Sequence, residues 1–236
     1  MRIPQSVLAV TSLALAGAAV PAAAQQSPVV VELYTSQGCS ACPPADAILA
    51  ELAELPGVLA LALHVDYWDY LGWKDTFGKP EHSLRQRAYA RAAGKRSLYT
   101  PQMIVQGQER VAGADAEAVE ALVTAHQAEP PVATVELARD ADKLRVSVSP
   151  VSPVGVGPSD IYLVRFDDVE TVTIEDGENA GFKVKYANIV TDWSSIGRWD
   201  GVTPIELALS VEGPEPLAVI VQRERLGPVV AAATLP

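Results

Sequence analysis

Apolar runs and helical periods alternate along the first half of the chain. Residues 29–34 (Val-Val-Val-Glu-Leu-Tyr) are β-branched and apolar, which predicts a buried strand. Residues 35–38 read as a turn, and from about Pro43 a helix follows with Ile48, Leu49, Leu52 and Leu55 at helical spacing. Pro56-Gly57 stops that helix, and residues 58–65 make a second apolar strand. A polar, aromatic loop at 66–73 leads to a helix over 81–93 that carries Arg85, Arg87 and Arg91. Residues 102–105 and 110–112 predict a short hairpin, and residues 115–128 a closing helix with Ala118, Val119, Leu122 and Val123 on one face. The order is strand, helix, strand, helix, strand, strand, helix. Helix-linked crossovers imply parallel strands, and the hairpin adds an antiparallel one.

After Glu129-Pro130-Pro131, which reads as a linker, the texture changes. Short β-prone runs at 132–137, 144–148, 160–166, 171–174, 182–190, 205–209, 217–221 and 229–233 are separated by Pro, Gly and Asp. Short strands punctuated in this way predict a mainly antiparallel β-sandwich over residues 132–236. Trp193 and Trp199 are expected in its core, and the basic face of the second helix is expected to be solvated.

The first residues are set apart from this fold. Arg2, an apolar run at 7–20 and Ala22-Ala23-Ala24 match a cleaved export signal over residues 1–24. The run is too short to be a good membrane span, so a periplasmic or secreted protein with no stable membrane span is expected. Asp and Glu outnumber Lys and Arg by 29 to 18. That balance argues against nucleic acid, whose phosphates require a basic surface.

Only two cysteines occur, Cys39 and Cys42. A bridge between them closes almost no loop and removes little unfolded-state entropy, so chemistry explains the pair better than stability. The pair falls where the first helix begins. Unpaired N–H groups and the positive dipole end there favour a thiolate at Cys39, the expected nucleophile and the more exposed sulfur. Cys42, one turn deeper, is the expected resolving thiol. Pro101 is the third candidate for the catalytic centre, because a cis Thr100–Pro101 bond would set the backbone of Thr100 beside the sulfurs to pair with a substrate polypeptide. Gly38, Thr100, Tyr67 and Trp68 are candidates for substrate positioning, and Asp66 for proton relay to Cys42.

Taken together, the strand order, Cys39-Ser40-Ala41-Cys42 and Thr100-Pro101 resemble the thioredoxin superfamily over residues 28–128. Three stretches resemble, more closely, an uncharacterised family of exported bacterial proteins with a thioredoxin-like domain and a β-rich tail. These are residues 32–46 around the cysteines, His64-Val65-Asp66-Tyr67-Trp68-Asp69, and Tyr99-Thr100-Pro101-Gln102. The resemblance implies an α/β thioredoxin-like domain, with a mixed βαβαββα sheet, followed by the separate sandwich. The chain departs from thioredoxin in its Cys-Ser-Ala-Cys motif and in Gln37-Gly38, which stands where a tryptophan is usual.

The leading expectation is a periplasmic thiol-disulfide oxidoreductase acting on a protein thiol or disulfide partner, without a cofactor. A binding module that uses the same scaffold non-catalytically, with a structural disulfide, is the alternative. Handling of Cu(I) by the two thiolates with His64 is a further one, although a lone strand histidine is more often a satisfied core residue and no third ligand is defined.

Overall fold

A computed structural model describes residues 27–235, and the leader assigned to residues 1–24 lies outside them. Strands β1 (Val29–Thr35) and β2 (Val58–His64) flank helix α1 (Pro43–Ala53). Helix α2 (Pro80–Ala92), strands β3 (Gln102–Val105) and β4 (Glu109–Ala112) and helix α3 (Ala116–Gln127) follow. Beyond the diproline come β5 (Ala133–Asp140), β6 (Lys143–Pro150), β7 (Ser159–Thr173), β8 (Lys183–Trp199), β9 (Ile205–Ser210), β10 (Leu217–Arg223) and β11 (Val229–Leu235).

The expected fold class, an α/β thioredoxin-like domain followed by a separate β-sandwich, is not what the chain adopts. One eight-stranded mixed sheet runs β11-β10-β7-β8-β2-β1-β3-β4, taking strands from both sides of the diproline. Parallel β1–β2 pairing continues into parallel contact of β2 with β8, in register at Ala62 and Ile189. The Asn188 side chain adds a hydrogen bond to the Ala60 carbonyl at 2.8 Å. The physical reason is edge protection. Strand β2 is apolar and buried almost throughout, so an open edge there would invite pairing with another chain. Strand β8 covers it.

Three cores follow from this sheet. On one face α1 and α3 bury Leu49, Leu52, Val119 and Val123 against Val31, Leu33, Ala62 and Met103. On the other, Tyr89 of α2 packs with Leu61, Leu63 and Ile104 and with Val164, Val190 and Ile220. A second sheet, β5-β6-β9, lays Leu144, Val146 and Val148 on Ile161, Leu163, Val219 and Trp199. Face-to-face layering therefore exists in the C-terminal half, but one of its layers is the extended sheet itself. Strand β10 is buried on both faces, which its unbroken apolar run allows.

The runs expected as separate strands at 160–166 and 171–174 merge into β7, and the run expected at 182–190 extends through Trp199 as β8. Together they form a long hairpin whose register shifts between Arg165 and Phe166. Its β8 strand lies against α1. Among the described residues no helix is long and apolar enough to cross a membrane.

Candidate functional site

The turn from β1 into α1 carries both cysteines, and they are joined as a disulfide. Cys42 is the N-cap residue of α1, with prolines in the first helical turn, where the missing N–H groups are least costly. Ala45 and Asp46 already direct their amides to the Cys42 carbonyl, at 2.9 and 3.1 Å. The bridge is less accessible than expected: Cys39 is 4% exposed and Cys42 0%. Ser40 and Ala41, between them, are exposed.

Two walls explain this burial. The first comes from the 66–73 loop and the segment before β3. A Cβ added at Gly38 would lie 3.3 Å from the Trp68 Cβ, so glycine lets the tryptophan close over the turn. Trp68 Nε1 in turn donates to Thr100 Oγ1 at 2.7 Å. The Thr100–Pro101 peptide is cis. Pro101 sits beside the first turn of α1, because a Cβ at Gly113 would fall 2.8 Å from the Pro101 Cβ and 3.1 Å from the Ala45 Cβ. Gly38, Trp68, Thr100, Pro101 and the cysteine turn thus share one patch. Tyr67 borders the same patch: its ring lies 6.0 Å from that of Trp68 between centroids, and its hydroxyl donates to Gln86 Oε1 of α2 at 3.0 Å, while Gln86 donates to the Tyr99 carbonyl at 2.8 Å.

The second wall comes from the C-terminal half. Asn179, at the tip of the β7–β8 hairpin, donates to the Gln37 carbonyl at 2.8 Å and to the Cys39 carbonyl at 2.9 Å. Gln37 is buried with each of its polar groups occupied. Its amide reaches Asp75 at 2.8 Å, its Nε2 reaches Thr76 Oγ1 at 3.2 Å, and its Oε1 accepts from Trp73 at 2.8 Å.

A cluster of buried ionisable groups lies beneath the start of α1. Asp46, one turn after Cys42 on the same helix face, accepts from Thr35 Oγ1 at 2.7 Å through Oδ1, while its Oδ2 has no partner. Burial pushes its carboxyl up to about 7, against the opposing pull of His64 and of the Thr35 hydroxyl. His64 pairs through Nδ1 with Asp75 Oδ2 at 2.8 Å, and its Nε2 is likewise buried without a partner. Burial alone would raise Asp75, but His64 and the amides of Gln37 and Phe77 outweigh it and hold that carboxyl below the ordinary range. The rings of Phe77 and Tyr186 meet the His64 imidazole edge-on, at 5.2 and 4.8 Å between centroids.

Asp66, the residue expected to relay protons, accepts from Ser83 Oγ of α2 through Oδ1 at 2.5 Å and so also anchors that helix. Asp46 is the buried carboxyl one helical turn from Cys42, with its amide on the Cys42 carbonyl at 3.1 Å. Its signal in the sequence was the i, i+4 spacing from Cys42. Asn179 left no local signal at all. His64 has one ring nitrogen committed to Asp75, and among the described residues no group of three or more metal-ligating side chains is assembled.

A family described as "Protein of unknown function (DUF1223)" matches residues 30–222. No curated protein is significantly similar to the chain. The crystal structure of a protein from Agrobacterium tumefaciens is 31% identical, with a TM-score of 0.77, and the match covers 90% of this chain and 96% of that one. The structure of HBP35 of Porphyromonas gingivalis, 14% identical with a TM-score of 0.60, covers 89% of this chain and 75% of that one, and is a likeness of fold alone. On the extent of the family match, and on the identity and coverage of the Agrobacterium structure, this chain belongs to the DUF1223 family.

Proposed function

We propose that the chain is a thiol-disulfide oxidoreductase of the periplasm or the secreted space, with Cys39 as nucleophile and Cys42 as resolving thiol. The observation that carries this reading is the Cys39–Cys42 bridge at the N-terminus of α1, backed one turn deeper by a buried carboxyl that ionises near neutrality. Burying a carboxyl without a second partner costs stability, and such costs concentrate where chemistry needs them. A kinship with the thioredoxin superfamily is proposed for this site alone and not for the architecture.

In the reducing direction the Cys39 thiolate attacks a substrate disulfide, forming a mixed disulfide and releasing one substrate thiolate. The Cys42 thiol then passes its proton to Asp46 and attacks the Cys39 sulfur. The second substrate thiolate leaves, the substrate is reduced by two electrons and the Cys39–Cys42 bridge re-forms. The reverse sequence oxidises a substrate dithiol and leaves the pair reduced. The Thr100–Pro101 segment and Trp68 border the approach over Ser40 and Ala41, where a polypeptide would lie.

The test is Cys42→Ser in the native host. Mixed disulfides with partner proteins are expected to accumulate and to disappear on reduction. If no adduct forms, and the freed Cys39 titrates near an unperturbed thiol, about 8.5, the oxidoreductase reading is wrong. A specific observation favours the second reading, a binding module with a structural bridge: both sulfurs are almost fully covered. It predicts a pair that physiological reductants leave oxidised.

A further inference from the structure

We propose that Asn179 is a positioning residue for the Cys39–Cys42 pair, through which the C-terminal half sets how readily the bridge forms. The inference rests on the oxidoreductase reading and adds a second determinant to it. Asn179 is 3% exposed, and its amide nitrogen bonds the carbonyls of Gln37 and Cys39, on either side of Gly38. Those two peptide units fix where the Cys39 side chain leaves the backbone. Cys42 is already fixed by α1, with its amide on the Cys39 carbonyl at 3.1 Å.

The hairpin tip is itself anchored. Ile174 is buried, and its backbone pairs with Gly181 and Phe182 at 2.8 and 2.9 Å. Gly177 has φ 77°, and a Cβ there would lie 3.2 Å from the Trp73 Cβ. Trp73 holds Gln37 in turn, so the tip and the 66–77 loop grip the same residue from two directions.

When the bridge is reduced, nothing covalent holds the Cys39 turn against α1. A turn held by Asn179 keeps the two thiols near bonding geometry, so little freedom is gained on reduction and re-formation is favoured. Without Asn179 the reduced turn gains freedom, the Gln37 carbonyl loses its donor and the Cys39 carbonyl keeps only the Cys42 amide. The turn can favour the bridge by no more than the net worth of the hydrogen bonds that hold it, roughly a factor of two to ten each in an equilibrium constant, so the constant for bridge formation should fall roughly fivefold to tenfold.

The experiment compares the wild-type chain with Asn179→Ala and with Asn179→Asp, which keeps the shape and removes the donor. Each is equilibrated with glutathione, and each substitution is also placed in the Cys42→Ser background for thermal melting. The expected result is a lower equilibrium constant for both variants and a larger loss of Tm in the bridged chain than in the Cys42→Ser chain. An equilibrium constant within twofold of wild type, with equal losses of Tm in the two backgrounds, overturns the proposal and leaves Asn179 as a packing residue. A wild-type bridge that glutathione does not reduce overturns the oxidoreductase reading instead, while the melting comparison still decides whether Asn179 acts on the bridge.

Discussion

Asp46 shows how one residue can oppose the fold that holds it. In the unfolded chain its carboxyl titrates near 3.8, and in the folded chain at about 7. Between those values the unfolded chain has released its proton while the folded chain still binds it, so each step up in pH favours unfolding. Its contribution to stability is intact in acid and is lost as pH rises from about 4 to about 7. Asp46→Asn removes that dependence and keeps an oxygen for the Thr35 hydroxyl. The substitution is expected to stabilise the protein by about 1–4 kcal/mol at pH 8 and to have little effect at pH 4. Urea unfolding at both pH values checks this, and a difference that does not vary with pH would remove Asp46 from its proposed role. The same substitution is expected to slow release of the mixed disulfide without slowing its formation.

At the scale of elements, α2 inverts the usual distribution of side chains. Leu84 is exposed, while Arg85, expected on a solvated face, has a side chain only 9% exposed beside it. The guanidinium grips both oxygens of Glu32 at 2.7 and 2.8 Å and lies 3.8 Å from the centre of the Trp193 ring. Glu32 also accepts from Tyr34 at 2.9 Å and from Tyr89 at 2.7 Å, and Arg85 donates to Gln222 of β10 at 3.0 Å. The cluster ties α2 to β1, β8 and β10, and so ties the two halves of the sheet. Removing one partner of a buried pair strands the other charge, so Arg85→Ala should cost about 3–5 kcal/mol. The double variant Arg85→Met with Glu32→Gln should recover most of that loss in chemical denaturation. A double variant no better than the single one would show that packing against Trp193, and not charge, is what counts. A clue to this pair did exist in the sequence: a carboxylate inside an otherwise apolar strand requires a cation, and the second helix had three arginines to offer. Arg87 and Arg91 remain exposed as expected.

For the whole molecule, the continuous sheet makes the halves interdependent. A fragment of residues 27–128 would keep α1, α2 and α3 but leave β2 without β8 along its edge, and Tyr89 without Val164, Val190 and Ile220. Such a fragment is expected to lack a cooperative thermal transition and to associate through the bare edge of β2. A sharp melt near that of the intact protein would show that the first half folds alone. The interdependence also gives the hairpin leverage, since β8 contributes Tyr186 to the His64 cluster and leads from the tip that bears Asn179.

What the sequence determined by itself was local. The strand before the cysteines, the turn, the prolines that start α1 and the placement of Thr100-Pro101 before β3 each follow from side chains within a few residues of one another. Backbone preference and burial period are short-range properties of that kind. The tertiary structure decided which edge meets which, β8 beside β2, set Asn179 on the cysteine turn, and buried Asp46 more deeply than Asp66. Those choices pair residues more than a hundred positions apart, or turn on which of two carboxyls the packing leaves dry. Complementary surfaces and desolvation settle such matters only once the chain has closed on itself.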